Sequence, residues 1–351
     1  MVSEQNRDGW LVQVPDGRPA HRGRLVLHVN GVASDWAKQL RDVCRLQEMA
    51  TSQGFDVLGI HNSTENLQAD LLECFLARSE LWRYTSSQGN GQGQQRLQDY
   101  ARLVQHLLEQ ELPPDQDILK ALPEAKPGIG SLDLGLLNQL PFLGQLAGTE
   151  LFTYLYGAYP AGAPRPTLRL AYEWARAIRA GYEVRLVAHS QGTLLVALAG
   201  HILDALFQGF PAWAERVYVL GYGPAVLIEE LPPILRGHTL LVQDRQDPVA
   251  EAFSDVREGE FWTTLQTQLR RSVQQADTLA QLVNRDSHHS ASYYLGLQAT
   301  PASQRAGRLL QELLAQDWST SPLIQALLGT RLILERPADP GALSPAASGR
   351  P

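Results

Sequence analysis

The stretch that decides the fold is residues 185–194, RLVAHSQGTL. A short apolar run ends at Ser190, small residues stand two positions before and after that serine, and an apolar helical pattern follows. This arrangement is typical of a nucleophile elbow, in which a serine occupies a strained turn between a strand and a helix. Bulky side chains at Ala188 or Gly192 would collide with neighbouring backbone. A buried strand that runs into a helix with an incidental serine has the same pattern, so the surrounding sequence has to decide.

The composition is that of a globular protein without a basic surface. The chain has 351 residues, of which 44% are hydrophobic and 19% are charged, which is enough apolar material for a sizeable core. The formal net charge is -7. Nucleic-acid binding calls for a basic face, so we expect no nucleic-acid partner.

The cysteine content and the hydropathy of the chain indicate its cellular compartment. Cys44 and Cys74 each lie in a helical pattern and do not form a disulfide framework, which favours a reducing environment. Residues 1–16 are polar and lack the apolar core of a signal peptide. No apolar run reaches the length of about 18 residues that a transmembrane helix needs. We therefore expect a cytoplasmic protein with no integral membrane segment.

Strand and helix patterns alternate on both sides of the elbow. Apolar runs predict strands over residues 10–14, 24–29, 55–60, 184–187, 217–220, 239–242 and 332–334. Amphipathic patterns predict helices over residues 36–49, 168–179, 193–206, 261–283 and 302–314. This alternation with short links predicts an α/β fold with a mostly parallel central sheet and helices on both faces, in one domain over residues 1–335.

An insertion over about residues 63–164 interrupts the alternation. Residues 83–100 contain the run SSQGNGQGQQ and predict a flexible loop. Residues 112–158 are rich in Pro, Gly and Leu, and predict either extra helices that pack on the sheet or a lid above the site. The tail over residues 336–351 is rich in Pro, Ala, Gly and Ser and is expected to be disordered.

An acid and a base follow the elbow along the chain. A serine hydroxyl is a poor nucleophile unless a base takes its proton and a carboxylate orients that base. Asp247 lies in the loop after the predicted strand over 239–242, at the edge of the sheet where α/β sites form, with Asp244 as the alternative. His289 is the candidate base, and the adjacent His288 is the alternative.

An oxyanion needs two backbone N–H donors. Gln191 supplies one as the residue after the nucleophile, and the Val32 N–H in the loop Asn30-Gly31-Val32 is the candidate for the other. His61, at the end of the next strand, is either part of the same edge or a structural histidine. Adjacent histidines such as His288 and His289 can bind a metal ion. The chain has neither a His-Glu-x-x-His motif nor zinc-type Cys/His spacing, so we expect no metal and no cofactor.

Together these motifs resemble the α/β-hydrolase fold superfamily, and within it the bacterial lipase- and esterase-like serine hydrolases. The resemblance covers about residues 22–62 and 165–296, and it rests on Asn30-Gly31, Ala188 to Gly192, Asp247 to Val249, and His289-Ser290 with Tyr294-Leu295. The last of these matches favours His289 over His288. The chain departs from the family pattern at Ala188, where Gly is commoner, and at Asn30, where many lipases carry His.

The resemblance implies a serine hydrolase that cleaves carboxylic ester bonds through an acyl-enzyme intermediate. Ser190 would be the nucleophile, His289 the base and Asp247 the acid that orients it. The apolar insertion points to an apolar acyl group on a small-molecule or lipid ester, and to transient contact with a lipid surface. The alternatives are a thioesterase or amidase on the same triad, or a non-catalytic binding protein of the same fold. The sequence carries no signal for the oligomeric state.

Overall fold

The computed structural model describes residues 7–15, 23–32, 34–63, 91–121, 165–247, 250 and 287–335, with a few positions between 74 and 85. Three predictions lie wholly or largely outside these residues. They are the helix over 261–283, the part of the 112–158 stretch beyond residue 121, and the tail over 336–351.

One sheet organises the described residues. Its seven strands lie in the order β1-β3-β2-β4-β5-β6-β7. Their bounds are β1 Leu11–Gln13, β2 Arg24–Val29, β3 Asp56–Ile60, β4 Glu183–His189, β5 Val217–Tyr222, β6 Thr239–Asp244 and β7 Thr330–Leu334. The short β1 pairs antiparallel with β3, and the other neighbouring strands pair in parallel. The carboxyl ends of β2 to β7 therefore meet at one edge, and the predicted mostly parallel sheet is confirmed.

Helices cover both faces of this sheet. Their bounds are α1 Trp36–Ala50, α2 Gly91–Leu107, α3 Arg165–Arg179, α4 Gln191–Leu206, α5 Pro233–Arg236, α6 Ala291–Tyr294, α7 Pro301–Leu314 and α8 Pro322–Leu327. Apolar side chains of α2, α3 and α4 share one core cluster with one face of the sheet. Side chains of α1, α6, α7 and α8 share a second cluster with the other face.

The central strands are continuous apolar runs because both of their faces are buried. Leu27 of β2 and Leu186 of β4 belong to the cluster on one face, whereas their neighbours Val26 and Val187 belong to the other. Alternate side chains of a strand point to opposite faces, so a strand between two helical layers needs apolar residues at every position. This packing holds the end of β4, and with it Ser190, in the middle of the sheet.

The predicted flexible loop over residues 83–100 is wrong from Gly91 onward, where α2 begins. The glycines at its start have low helix propensity, but the helix buries an apolar stripe against α4. That stripe consists of Leu97, Tyr100, Leu103, Val104 and Leu107. Tertiary burial of such a stripe outweighs local propensity, which is a weak determinant of helix formation in proteins.

The described beginning of the 112–158 stretch packs on α3 and on the edge of the sheet. The Leu112 N–H donates to the Tyr172 hydroxyl at 3.1 Å, and Arg169 Nη1 donates to the Pro113 carbonyl at 3.0 Å. The Leu11 N–H at the start of β1 donates to the Pro114 carbonyl at 2.9 Å. Residues 112–121 thus pack on α3 and on β1, and the choice between packed helices and a lid for the rest of the stretch lies outside the described residues. In the described part of the chain, no helix has the length and hydropathy needed to cross a bilayer.

Candidate active site

Ser190 lies at a sharp turn between β4 and α4. Its backbone has φ 49° and ψ -123°, and among the described residues it is the single non-glycine residue with a positive φ. Such a conformation costs about 1–3 kcal/mol and persists where the surrounding structure imposes it, commonly at functional sites. The Ser190 N–H donates to the Tyr222 carbonyl of β5, and the Thr193 N–H donates to the Ser190 carbonyl at 2.9 Å. The strain at Ser190 is therefore held from both the sheet and the helix.

Two glycines let the backbone of β2 approach this turn. A Cβ atom on Gly192 would lie 2.4 Å from the Val29 carbonyl oxygen. A Cβ atom on Gly31 would lie 2.6 Å from the Ser190 Cβ. Neither position has room for a side chain, so the loop after β2 lies directly against the serine.

Ser190, His289 and Asp247 form one chain of hydrogen bonds. His289 Nε2 lies 2.8 Å from Ser190 Oγ, and His289 Nδ1 lies 2.9 Å from Asp247 Oδ1 and 3.0 Å from Oδ2. A carboxylate only accepts hydrogen bonds, so Nδ1 carries the proton and Nε2 of the neutral ring accepts from the serine hydroxyl. All three side chains are buried. The arrangement gives Ser190 a base and gives that base an orienting carboxylate.

The Asp247 carboxylate is held in its ionised form. Burial raises the pKa of this group, but the His289 charge and hydrogen bond, the Ala250 N–H and the Tyr294 hydroxyl outweigh burial and lower the pKa below its ordinary value. The Ala250 N–H lies 2.9 Å from Oδ1, and the Tyr294 hydroxyl lies 2.8 Å from Oδ2. Asp247 is therefore an anion that accepts hydrogen bonds on both oxygens at neutral pH.

The alternative acid and the alternative base lie together, apart from this chain of hydrogen bonds. His288 Nδ1 is 3.4 Å from Asp244 Oδ1. Asp244 also accepts from the Tyr293 hydroxyl at 2.6 Å and from the Gln246 N–H at 2.8 Å. The structure brings Asp247 and His289 to Ser190, and it pairs Asp244 with His288.

The two predicted oxyanion donors belong to the helix start after Ser190 and to the loop after β2. Gln191 begins α4, and the first N–H groups of a helix are not used by its own ladder of hydrogen bonds. Val32 is nearly buried and comes directly after Gly31, whose backbone contacts the serine. The role of these two N–H groups as oxyanion donors stays a prediction.

Asn62, which the sequence did not single out for the site, ties these segments together. Its Nδ2 donates to Gln191 Oε1 at 2.7 Å, and its N–H donates to Asn30 Oδ1 at 2.9 Å. Asn30 Nδ2 in turn donates to the Asn62 carbonyl at 2.7 Å. These bonds join the ends of β2 and β3 to the residue after the nucleophile.

His61 follows β3, and its contacts are with structural residues outside the Ser190 hydrogen-bond chain. Its ring contacts Trp36 edge-on, with the centroids 5.2 Å apart, and its backbone N–H donates to the Trp10 carbonyl. Burial lowers the pKa of its side chain to about 4, so the imidazole is neutral. These contacts connect the ends of β1 and β3 to α1.

Two further residues reach the triad, and the sequence reasoning gave neither of them a role. The Tyr294 hydroxyl contacts Asp247 across 47 positions of the chain, and the His189 ring contacts the His289 carbonyl across 100. Both residues belong to the motifs that carry the family resemblance. Their contacts join segments far apart in sequence, so no local pattern could have predicted them.

The described residues contain no group of three or more His, Cys, Asp or Glu side chains that could hold a metal ion. Comparisons with protein-family models, with curated proteins and with solved structures found no match to this chain.

Proposed function

We propose that this chain is a serine hydrolase of the α/β-hydrolase fold that cleaves carboxylic ester bonds through an acyl-enzyme intermediate. The observation that carries the proposal is the unbroken path of hydrogen bonds from Ser190 Oγ through the His289 ring to Asp247, at distances of 2.8, 2.9 and 3.0 Å. A buried hydroxyl, imidazole and carboxylate in this order are the parts that serine acyl transfer requires.

In the acylation step, Ser190 Oγ attacks the ester carbonyl carbon while His289 Nε2 takes the hydroxyl proton. The carbonyl π electrons move to oxygen and give a tetrahedral oxyanion, and the ring becomes an imidazolium that Asp247 stabilises. The intermediate then collapses, the bond to the alcohol oxygen breaks, and His289 returns its proton to the leaving alcohol. The product of this half-reaction is an ester on Ser190.

In the deacylation step, water takes the place of the serine hydroxyl. His289 Nε2 accepts a proton from the water as its oxygen attacks the acyl carbon, and then returns the proton to Ser190 Oγ as the acid leaves. In both steps the Gln191 and Val32 N–H groups donate to the oxyanion. The hydrogen bonds of Asn30 and Asn62 hold the loop and the helix start that carry these two donors.

The order of the elements supports the fold assignment. The nucleophile follows the central strand β4 at a strained strand-to-helix turn, the acid follows β6, and the histidine comes later in the chain. This is the order Ser, Asp, His that the α/β-hydrolase fold uses. The distance of 2.8 Å between Ser190 Oγ and His289 Nε2 favours a catalytic protein over a binding protein of the same fold.

The substrate proposal is an ester with an apolar acyl group, either a small molecule or a lipid. It rests on the apolar composition of the 112–158 stretch, which also favours transient contact with a lipid surface. Thioesters and amides react through the same groups, because the triad and the oxyanion donors serve any acyl carbon.

A substrate panel tests the proposed reaction. Purified protein is assayed on p-nitrophenyl esters of short and long acyl chains, on acyl-CoA thioesters and on p-nitroanilides. We expect ester hydrolysis that favours longer acyl chains, and a fall in kcat of about a thousandfold or more in Ser190→Ala. The control is Ser319→Ala, which removes an exposed serine hydroxyl and should keep the wild-type kcat. Folded protein without activity on any ester, or Ser190→Ala with the wild-type kcat, would overturn the proposal.

A further inference from the structure

The segment that carries His289 is bonded to other parts of the fold through its later main chain, because the Ser303 hydroxyl donates to the Tyr293 carbonyl and Arg45 Nε donates to the Leu295 carbonyl. Within it, Ser290 caps α6 and the Ser290 N–H donates to the Ser287 carbonyl at 3.1 Å. Both of these contacts are local to the segment. They shape the turn but do not place it against the nucleophile.

One buried side chain bonds directly to the main chain of His289 itself. His189, the last residue of β4, donates from Nε2 to the His289 carbonyl oxygen at 2.6 Å. His189 is also the residue directly before Ser190. The strand that ends in the nucleophile therefore holds the main chain of the base by a direct bond.

The His189 ring is fixed by its neighbours. It stacks on Tyr222, its cross-strand partner in β5, with the ring centroids 5.1 Å apart. Its centroid lies 5.0 Å from that of His289 and 6.3 Å from that of Tyr294. A Cβ atom on Gly31 would lie 2.9 Å from Nδ1, so the ring is enclosed on that side too. These neighbours hold the ring in the orientation that places Nε2 at the His289 carbonyl.

The protonation state of His189 suits this role. Burial, together with the nearby His289 charge, lowers its pKa to about 3, so the ring is neutral at working pH. A carbonyl oxygen only accepts, so the single proton of the neutral ring is on Nε2. A neutral donor adds no positive charge beside His289, which becomes an imidazolium during the reaction. The titratable groups that face it are His28 of β2, Tyr222 of β5, Tyr294 of α6, Asp247 and His289.

We propose that His189 is a positioning residue, whose Nε2–H bond to the His289 carbonyl sets the imidazole between Ser190 and Asp247. Its kinetic consequence rests on the proposed hydrolase function. Small displacements of a general base have large kinetic effects, because proton transfer needs a heavy-atom distance of about 2.6–3.2 Å. Loss of this bond should lower kcat and leave KM almost unchanged, since the buried His189 ring acts on the main chain of the base.

Two amide substitutions of His189 separate the effect of its hydrogen bond from the effect of its packing. The amide nitrogen of Gln reaches about as far as Nε2 of His, whereas the amide nitrogen of Asn reaches only about as far as Nδ1. We expect His189→Gln to keep kcat within about fivefold of wild type, and His189→Asn to lose about 30-fold or more. His189→Phe keeps a packed ring without a donor and should resemble the Asn variant. Rates are normalised to the fraction of protein that fluorophosphonate labels at completion.

His201 offers the matched control. Its Nε2 lies 2.9 Å from the Glu230 carbonyl oxygen, and it is another buried histidine whose pKa burial lowers to about 4. We expect His201→Asn to lower Tm while kcat and the pH profile stay at wild-type values. His189→Asn should instead move the acid limb of the kcat profile to lower pH, because a displaced His289 loses the carboxylate that stabilises its protonated form.

The hydrogen-bond geometry has a readout that does not depend on activity. The low-field proton resonance of the His289 Nδ1–H bond to Asp247 should persist in His189→Gln and broaden or move upfield in His189→Asn. Wild-type kcat, pH profile and proton resonance in a folded His189→Asn or His189→Phe variant would overturn the proposal. If the wild-type protein has no hydrolase activity, the proposed function fails, and the proton resonance still tests the placement of His289 by His189.

Discussion

The Tyr294 hydroxyl donates a hydrogen bond of 2.8 Å to Asp247 Oδ2. The same hydroxyl oxygen accepts from the Asp244 N–H at 2.8 Å. Tyr294 is fully buried at the end of α6, five positions after His289, so one short segment delivers both the base and a donor to the acid. The carboxylate is thereby held between the ring of His289 and the hydroxyl of Tyr294.

Removal of this hydroxyl should weaken catalysis without abolishing it. In Tyr294→Phe we expect kcat to fall about tenfold, which corresponds to about 1.4 kcal/mol of transition-state stabilisation. The reason is that the carboxylate loses one of the bonds that orient it toward His289. Tyr293→Phe is the matched control, since the Tyr293 hydroxyl donates to Asp244 and not to Asp247. Equal effects of the two substitutions on kcat would contradict this role of Tyr294.

A methyl group on Gly31 should displace the nucleophile. The added Cβ would lie 2.6 Å from the Ser190 Cβ, a distance that neither atom tolerates, so Gly31→Ala should lower kcat at least tenfold. Gly237→Ala is the control, because a Cβ there meets no atom within 4 Å. Steady-state kinetics on one ester measure both variants. The account fails at this point if Gly31→Ala has the wild-type kcat.

The two adjacent histidines should differ sharply in their effect. His289→Ala removes the group that contacts Ser190 Oγ, and we expect kcat to fall by about a thousandfold or more. His288→Ala removes only the neighbour of Asp244, and kcat should stay within about threefold of wild type. Both variants are compared at the same pH on the same ester. A larger loss in His288→Ala than in His289→Ala would reverse the assignment of the base.

Arg185 should carry more of the stability than any exposed ion pair. Its buried guanidinium donates to Glu183 Oε1, to the Leu314 carbonyl at the end of α7 and to the Gln316 carbonyl that follows it. Replacement by Met leaves these acceptors without that donor, and we expect a loss of about 3 kcal/mol in the free energy of unfolding. Denaturant titration measures this loss.

The control for Arg185 is the pair of Arg245 and Glu335, whose side chains are 67% and 57% exposed. Exposed pairs contribute little, so Arg245→Ala should change the free energy of unfolding by at most about 1 kcal/mol. If Arg245→Ala lowered the free energy of unfolding as much as Arg185→Met does, burial would not decide how much an arginine contributes to stability.

The stability of the fold should depend on pH through its buried histidines, and His201 isolates one of them. Burial lowers the pKa of His201 to about 4, so below its ordinary value of 6.5 the unfolded chain takes up a proton that the folded chain refuses. Stability from this group is therefore full above pH 6.5 and decreases as the pH falls toward 4. His201→Gln keeps a donor for the Glu230 carbonyl but does not titrate.

Denaturation at pH 6.5 and at pH 4.5 measures the difference. Relative to His201→Gln, the wild-type protein should lose roughly 2 kcal/mol more over this interval. The comparison with the variant cancels the other titrating groups. An identical pH dependence of the two proteins would contradict the burial of a neutral His201.

The central strands of the sheet were predictable because they are buried on both faces. Residues 24–29 of β2 have the predicted bounds, and the apolar run of β4 is extended only by Glu183, Ala188 and His189. Helix α2 has apolar residues at helical spacing over residues 97–107, but the glycines at its start favoured a loop prediction, and these residues do not reveal that the stripe packs against α4. The local sequence shows that a strand is buried on both faces more clearly than it shows which element a helix packs against.

The candidate site likewise has residues that the sequence predicts and residues that it does not. Ser190 was predictable because the strained turn requires small neighbours, and Gly192 meets that need at 2.4 Å from the Val29 carbonyl. Spacing could not decide between His288 and His289, because adjacent residues differ only in the direction of their side chains. The tertiary contacts of His189 and Tyr294 decide that direction, and they span 100 and 47 positions of the chain.

The most direct test of the central claim is the site at which a fluorophosphonate reacts. Its phosphorus is attacked by an activated serine Oγ with loss of fluoride, so the adduct reports both the nucleophile and its activation. Peptide mapping by mass spectrometry should find one adduct per chain, on Ser190, and little or no adduct in Ser190→Ala or His289→Ala. Folded wild-type protein that stays unlabelled beside a reactive control hydrolase, or that is labelled on another serine, would contradict the account.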